Sequence, residues 1–318
     1  MAAGSRKMDK RVKVHILYDI KDEPWGGGNQ FLRLLRNNFR SRGIYAEEAL
    51  AANVVLVNSK DRLEQAALLS SDYNKIIVHR MDGIFSIYRG RHELPQDRAV
   101  YSFSKKYASG AIFQSRWSRD TAYEIGMQER SFHTIIPNCS DPDIFKQNRK
   151  ERHKERNGKI RLITSTWSDN PKKGFGIYKH LDKRLDFDKY EYVFIGRSSV
   201  NFANIEMKGI LSTKEVAKEL KKADIFVTAT EDDACSNSLI EAMTCGLPAI
   251  GLLSGGTPEI IGNGGELFVS ELDLFPKIDK VAAEIEAYEK VVIPPSCDDV
   301  CDRYYNYIGQ ICDLQSKH

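Results

Sequence analysis

The segment Ala229–Phe268, ATEDDACSNSLIEAMTCGLPAIGLLSGGTPEIIGNGGELF, constrains the fold of this chain more than any other. A short apolar run, Asp224–Thr228 (DIFVT), leads into it and reads as a strand. Ser236-Asn237-Ser238 then reads as the N-cap region of a helix over Leu239–Cys245, and Gly246-Leu247-Pro248 stops that helix. A second apolar run, Ala249–Leu253, is the next strand, and Ser254-Gly255-Gly256-Thr257-Pro258-Glu259 is a glycine turn behind it. A strand, a helix and a second strand in this order imply a parallel sheet, whose strand ends form the crevice where such folds bind ligands.

That crevice suits an anion joined to a sugar. A strand ending in a small polar loop that opens a helix aims free backbone N–H groups outward, and their partial positive charge suits a phosphate. Glu241 stands one turn inside the helix, beside such a phosphate rather than on it, where a carboxylate can accept hydrogen bonds from the vicinal hydroxyls of a ribose. Asp233 precedes it, with seven residues between the two acids. An acid near a helix N-terminus can also serve only to cap the dipole, so spacing alone leaves both readings open.

The same alternation runs through the chain. Strands are expected at Val12–Tyr18, Val54–Val57, Lys75–His79, Ala111–Gln114 and Thr134–Pro137, with helices at Asn29–Arg42, Leu63–Leu69 and Ser118–Ile125 between them. A charged run, KQNRKERHKERNGK at Lys146–Lys159, has no apolar face and reads as a linker. Alternation then restarts with strands Ile160–Thr164, Tyr190–Ile195 and Ile225–Thr228 and helices Phe175–Leu185 and Thr213–Lys222. A last helix, Asp298–Leu314, places Val300, Tyr304, Tyr307, Ile308 and Ile311 on one side. The expected organisation is an α/β chain of two parallel-sheet domains facing a cleft. The first spans residues 8–145, a linker 146–158, the second domain 159–297, and the helix of 298–318 packs back on the first.

Composition narrows the function classes. At 318 residues with 42% hydrophobic and 29% charged side chains, the chain has the size and balance of two globular domains. No apolar run reaches membrane-spanning length, and Val12–Leu17 is too short for a signal peptide, so a cytoplasmic protein is expected. The six cysteines, Cys139, Cys235, Cys245, Cys297, Cys301 and Cys312, show neither a CxxC pair nor zinc spacing. Residues 1–150 hold 25 Lys and Arg against 17 Asp and Glu, whereas residues 151–318 hold 22 against 27. The basic first half suits an anionic acceptor or peripheral contact with a membrane surface, or is simply a solvated surface. No basic stripe interleaved with aromatics points to nucleic acid.

Three further segments carry candidate residues. Gly26-Gly27-Gly28-Asn29 lies between the first strand and the first helix, where glycines let backbone approach a ligand. It lacks the GxGxxG spacing of a dinucleotide fingerprint, which argues against a nicotinamide enzyme. His79-Arg80-Met81-Asp82 ends a strand at the crevice side, so His79 is a candidate to position or protonate a substrate, with Arg80 and Asp82 beside it. A lone histidine is equally at home in a core. Lys173-Gly174, in STWSDNPKKGF after the first strand of the second half, and Arg197, in FIGRSS after the next strand, are candidate cations.

The acid, seven-residue, acid element followed by EAMTCGLPAIG and GGTPEIIGNGGELF resembles the donor-binding signature of family 4 retaining glycosyltransferases. The resemblance extends over roughly residues 11–315, including an IPNCSD…F junction at Ile136–Phe145. It implies the GT-B fold, two Rossmann-like domains about a cleft, and transfer of a sugar from a nucleotide-sugar donor to a hydroxyl of a glycan-type acceptor. Glu241 maps to the ribose-binding acid, Asp233 to the acid near the transferred sugar, and Lys173 to a cation on the donor diphosphate. Gly26, Gly27, Gly28, Asn29, Ser236, Asn237, Ser238 and Arg197 map to the donor side. His79 maps to a cleft histidine with catalytic duty; Arg80 and Asp82, as its neighbours, are candidates for the acceptor side or the cleft. The family needs no divalent metal or other cofactor. Two departures stand out: Asp233 is shorter than the usual Glu, and Ser168 occupies the position of the usual Arg, with Lys172, Arg197 and Arg80 as candidate replacements. They motivate one alternative, a non-catalytic sugar-nucleotide-binding module or inactive partner subunit; a GT-B sugar-nucleotide epimerase is a separate enzymatic alternative.

Overall fold

A computed structural model describes residues 12–21, 26–129, 132–147 and 158–316. The chain divides into two compact units, one built from residues 12–21, 29–137 and 297–316, the other from 26–28 and 138–296. The linker expected at 146–158 falls largely outside the described residues.

The first unit runs β1 (Val14–Leu17), α1 (Gly27–Ser41), β2 (Val54–Asn58), α2 (Leu63–Ser71), β3 (Ile76–Arg80), α3 (Phe85–Arg89), α4 (Leu94–Tyr107), β4 (Ala108–Phe113), α5 (Arg116–Glu124) and β5 (His133–Ile135). The five strands lie parallel in the order β1-β2-β3-β4-β5. Tyr45 adds a single parallel bridge to Val14 of β1. β1 lies between β2 and that bridge, so α1 travels outward while α2, α4 and α5 travel the other way. Because crossovers are right-handed, α1 covers one face of the sheet and the later helices cover the opposite one. Alternate residues of the buried strands therefore enter different cores. Val55, Val57 and Ile77 pack with Ala66, Leu69 and Phe103 of α2 and α4.

The second unit runs β6 (Ile160–Thr166), α6 (Phe175–Arg184), β7 (Tyr190–Gly196), β8 (Glu206–Gly209), α7 (Thr213–Lys222), β9 (Ile225–Thr228), α8 (Asn237–Thr244), β10 (Ala249–Leu252), α9 (Thr257–Ile261), β11 (Gly265–Phe268), α10 (Glu271–Ala283) and α11 (Ile285–Val291). Its six strands are all parallel, in the order β11-β10-β9-β6-β7-β8. The chain leaves β6 toward β7 and leaves β9 toward β10, in opposite directions. Helices α7, α8 and α9 accordingly cover one face, around Ile163, Phe226 and Ala249. Helices α6 and α10 cover the other, around Leu162, Tyr192 and Ile225. The loops after β6 and β9 diverge to opposite faces and leave a crevice at their carboxyl ends, the topological switch point of a doubly wound sheet.

The last helix, α12 (Cys297–Gln315), belongs to the first unit. The Tyr307 hydroxyl donates to the carbonyls of Ala111 and Phe132, 3.1 Å in each case. Phe31 of α1 packs on Tyr304 of α12 with ring centroids 5.8 Å apart. No helix among the described residues is long and apolar enough to cross a membrane.

Candidate active site

Three loops converge at the β6/β9 switch point. The first leaves β6 through Trp167 and Ser168 and ends in the turn Pro171–Lys173, which the Asn170 side chain caps by accepting the Lys172 N–H at 2.9 Å. The second, Ala229–Cys235, leaves β9, and the third, Ser254–Gly256, leaves β10. Backbone bonds lace them together: Glu231 N–H donates to the Lys172 carbonyl at 2.8 Å and Gly256 N–H to the Asp233 carbonyl at 2.8 Å. The Ser254 hydroxyl accepts the Asp232 N–H at 2.9 Å, holding that residue at a φ of 54°. Two glycines make the approach feasible. A Cβ at Gly174 would sit 2.3 Å from the Ala229 carbonyl oxygen, and one at Gly255 2.4 Å from that of Asp233. Both glycines also have positive φ, 80° and 58°.

This lacing pairs two lysines with two acids across the crevice. Lys173 Nζ lies 3.3 Å from Asp233 Oδ2, with the two side chains 16% and 22% exposed. Lys172 forms the neighbouring ion pair with Asp232. The other Asp233 oxygen accepts the Cys235 N–H at 3.1 Å, so the carboxylate is oriented from both sides. Beneath the loops the Tyr178 hydroxyl accepts the Ala229 N–H at 3.0 Å, and Thr164 on β6 bonds the Val227 carbonyl and the Tyr192 hydroxyl at 2.7 Å each. Burial pushes both tyrosine hydroxyls above their usual pKa and keeps them neutral props.

Helix α8 opens at the same point. Its N-cap residue Ser236 makes no side-chain cap bond, and Asn138 fixes the helix start: its N–H contacts Cys235 Sγ at 3.4 Å and its Nδ2 donates to Asn237 Oδ1 at 3.0 Å. Leu239, Ile240, Ala242 and Met243 face the core, which turns Ser238 and Glu241, three residues apart, toward the outside. Burial alone pushes the Glu241 carboxyl up to about 8. No hydrogen bond or ion pair reaches this carboxylate among the described residues. A desolvated carboxylate that retains some exposure and has no protein partner is what a hydroxyl-bearing ligand would satisfy.

Asp233, Lys173, Ser236, Asn237, Ser238 and Glu241 are thus gathered on three loops and a helix start. Gly26, Gly27 and Gly28 also group with this unit. A Cβ at Gly27 would fall 2.3 Å from that of Asn237, and one at Gly26 3.3 Å from the Trp167 ring. Arg197 follows Gly196 at the end of β7, and its guanidinium lies 5.1 Å from the Trp167 ring centroid.

Four expected residues belong to the first unit. His79 was expected to line a cleft; it is 0% exposed, its Nε2 lies 2.7 Å from the Ser59 carbonyl oxygen, and its ring meets the edge of Phe103 at 5.1 Å. Arg80 is 1% exposed, bonds Asn58 and lies 5.1 Å from the Phe31 ring centroid. The two are adjacent inside β3, so they point to opposite faces, one toward α4 and the other toward α1, and cannot share a crevice. Arg80 is therefore no replacement for the cation absent at Ser168. Asn29 is 2% exposed and spends its side chain on the Lys21 backbone, accepting from N–H and donating to the carbonyl at 2.8 Å each. Asp82 is exposed and accepts from Gln114 Nε2 at 2.8 Å.

Residues 178–288 match the family model described as Glycosyl transferases group 1. The second unit carries a group 1 glycosyltransferase domain. The matched stretch contains Arg197, Asp233 and Glu241 and begins just after Lys173. No curated protein matches the chain in sequence. Among solved structures, HepE of Anabaena in complex with UDP and glucose has a TM-score of 0.71 at 13% identity, covering 97% of this chain and 100% of that one. Sucrose-phosphate synthase from Thermosynechococcus elongatus gives 0.68 at 13%, covering 96% and 99%. The catalytic domain of starch synthase IV from Arabidopsis thaliana, bound to ADP and acarbose, gives 0.73 at 10%, covering 94% and 99%. At these identities the likeness establishes the fold, which is GT-B.

Proposed function

We propose that the chain is a retaining glycosyltransferase that moves a sugar from a nucleoside diphosphate donor to a hydroxyl of a saccharide or other glycan-type acceptor. The observation that carries this is the unpartnered Glu241 carboxylate beside the α8 start and the Lys173–Asp233 pair. Glu241 accepts the two ribose hydroxyls. The diphosphate lies over the α8 N-terminus and Lys173, whose charge stabilises the leaving group as the sugar–phosphate bond breaks. Asp233 holds Lys173 and faces the transferred sugar. Retention rests on the family resemblance. It is consistent with Asp233, engaged by Cys235 and Lys173, orienting the sugar rather than attacking it.

The positive charge of Lys173 and the helix start replaces a divalent metal in this reading. HepE and starch synthase IV are recorded with UDP and ADP, so UDP- and ADP-glucose are the donors to offer first. Purified protein should release nucleoside diphosphate from one of them, with transfer to a saccharide acceptor and an unchanged rate in excess EDTA. Activity abolished by EDTA and restored by Mg²⁺ would overturn the metal-free mechanism. Donor binding without transfer or hydrolysis would favour the second reading, a non-catalytic sugar-nucleotide-binding module. That reading draws on Ser168, whose hydroxyl accepts the Asn170 N–H at 3.0 Å and leaves its loop without the usual Arg. The six free cysteines fit a reducing compartment, and we place the reaction in the cytoplasm.

A further inference from the structure

We infer that Arg197, held on the Trp167 ring, supplies the second diphosphate cation that Ser168 does not; the inference rests on the donor-site reading above. Three observations favour Arg197 over the other cations near the switch point. First, Lys172 is committed to Asp232, whose own backbone is tied by the Ser254 hydroxyl, so its charge is already neutralised. Second, Arg197 sits where the missing cation belongs. Its N–H donates to the Thr166 carbonyl at 3.2 Å, which puts its backbone at the carboxyl end of β6, two residues before Ser168. That contact demands glycine at the preceding position, because a Cβ at Gly196 would lie 1.7 Å from the Thr166 oxygen. Third, the Arg197 loop is built to be rigid. Ser198 Oγ donates to the Val200 carbonyl at 2.7 Å, and farther along Asp182 of α6 accepts the N–H groups of Ala203, Asn204 and Ile205 at 2.8, 2.7 and 2.9 Å.

The guanidinium itself stays exposed, its Cζ 5.1 Å over the ring centroid of an indole that is 37% exposed. A guanidinium held by cation–π attraction keeps N–H donors available, and its planar fork suits two phosphate oxygens at once. No acidic partner neutralises it among the described residues. Trp167 is on this account a positioning residue: it orients Arg197 without touching the phosphates.

The test compares UDP with UMP, and ADP with AMP, by calorimetry, so that the contribution of the outer phosphate is isolated from base and ribose. Arg197→Ala should weaken the diphosphate about 10- to 100-fold while changing the monophosphate less than about threefold. Arg197→Lys should recover part of the loss. Trp167→Leu should reduce the same ratio, and the double variant Trp167→Leu/Arg197→Ala should lose no more than Arg197→Ala alone. An unchanged diphosphate-to-monophosphate ratio in Arg197→Ala, with tight binding by the parent, overturns the role of Arg197 and leaves the donor site standing. A parent that binds none of the four nucleotides overturns the donor site itself.

Discussion

Lys173 and Asp233 stand 60 positions apart in the chain and bring Nζ within 3.3 Å of Oδ2. Two adjacent parallel strands, β6 and β9, create that meeting by releasing their loops at the same end of the sheet. The pair is partly exposed, so its contribution to folding is small, roughly 1 kcal/mol or less. In the proposed reaction it holds an ammonium where negative charge develops on a leaving diphosphate. Lys173→Ala should therefore lower turnover by about two orders of magnitude or more while shifting the melting temperature by only a few degrees. A rate loss that merely follows the unfolded fraction would show the pair to be structural.

The Glu241 carboxyl, raised from 4.5 to about 8, gives stability a defined pH dependence. A group that binds its proton more tightly in the folded chain adds stability that is fully present below about pH 4.5 and is lost as the pH climbs through about 8. Glu241→Gln removes that loss. The variant should match or exceed the parent above pH 8, by an amount on the order of a few kcal/mol, and should show a flatter profile between the two limits. Denaturant unfolding across that range provides the check; parallel profiles for the two proteins would contradict the burial of this carboxylate.

His79 now carries a structural expectation. With its ring enclosed between Ser59 and Phe103, His79→Ala opens a cavity and removes a buried hydrogen bond. Stability should drop by about 2–4 kcal/mol, with residual activity following the folded fraction. A variant that keeps its melting temperature and loses turnover would restore a catalytic role.

The pattern of legibility follows from what leaves a trace in one dimension. Strands β6, β7, β9 and β10 are buried on both faces and read as apolar runs, and the glycines that punctuate them mark the loops of the site. The position of Glu241 in α8 was readable because the helix start lies beside it in sequence. Helix α4 escaped because its buried side includes Asp97 and Ser104, which blur the apolar period. Strand β8, EMKG, lies at the sheet edge and is exposed, so it has no apolar signature at all. His79 misled for a different reason. Polar neighbours looked like a cluster in sequence, yet the period of two in a strand sends His79 and Arg80 into different cores. Trp167 gave no sequence signal as a partner of Arg197, because that contact exists only once β6 and β7 pair.

The central claim is that Glu241 grips the ribose of a nucleoside diphosphate in the second unit. Titrating parent and Glu241→Gln with UDP, ADP, GDP and dTDP in a calorimeter tests it most directly. One of the four should bind the parent at a single site, and Glu241→Gln should weaken that nucleotide about tenfold or more without loss of melting temperature at neutral pH. Equal affinity for parent and variant, or a parent that binds none of them, would contradict it.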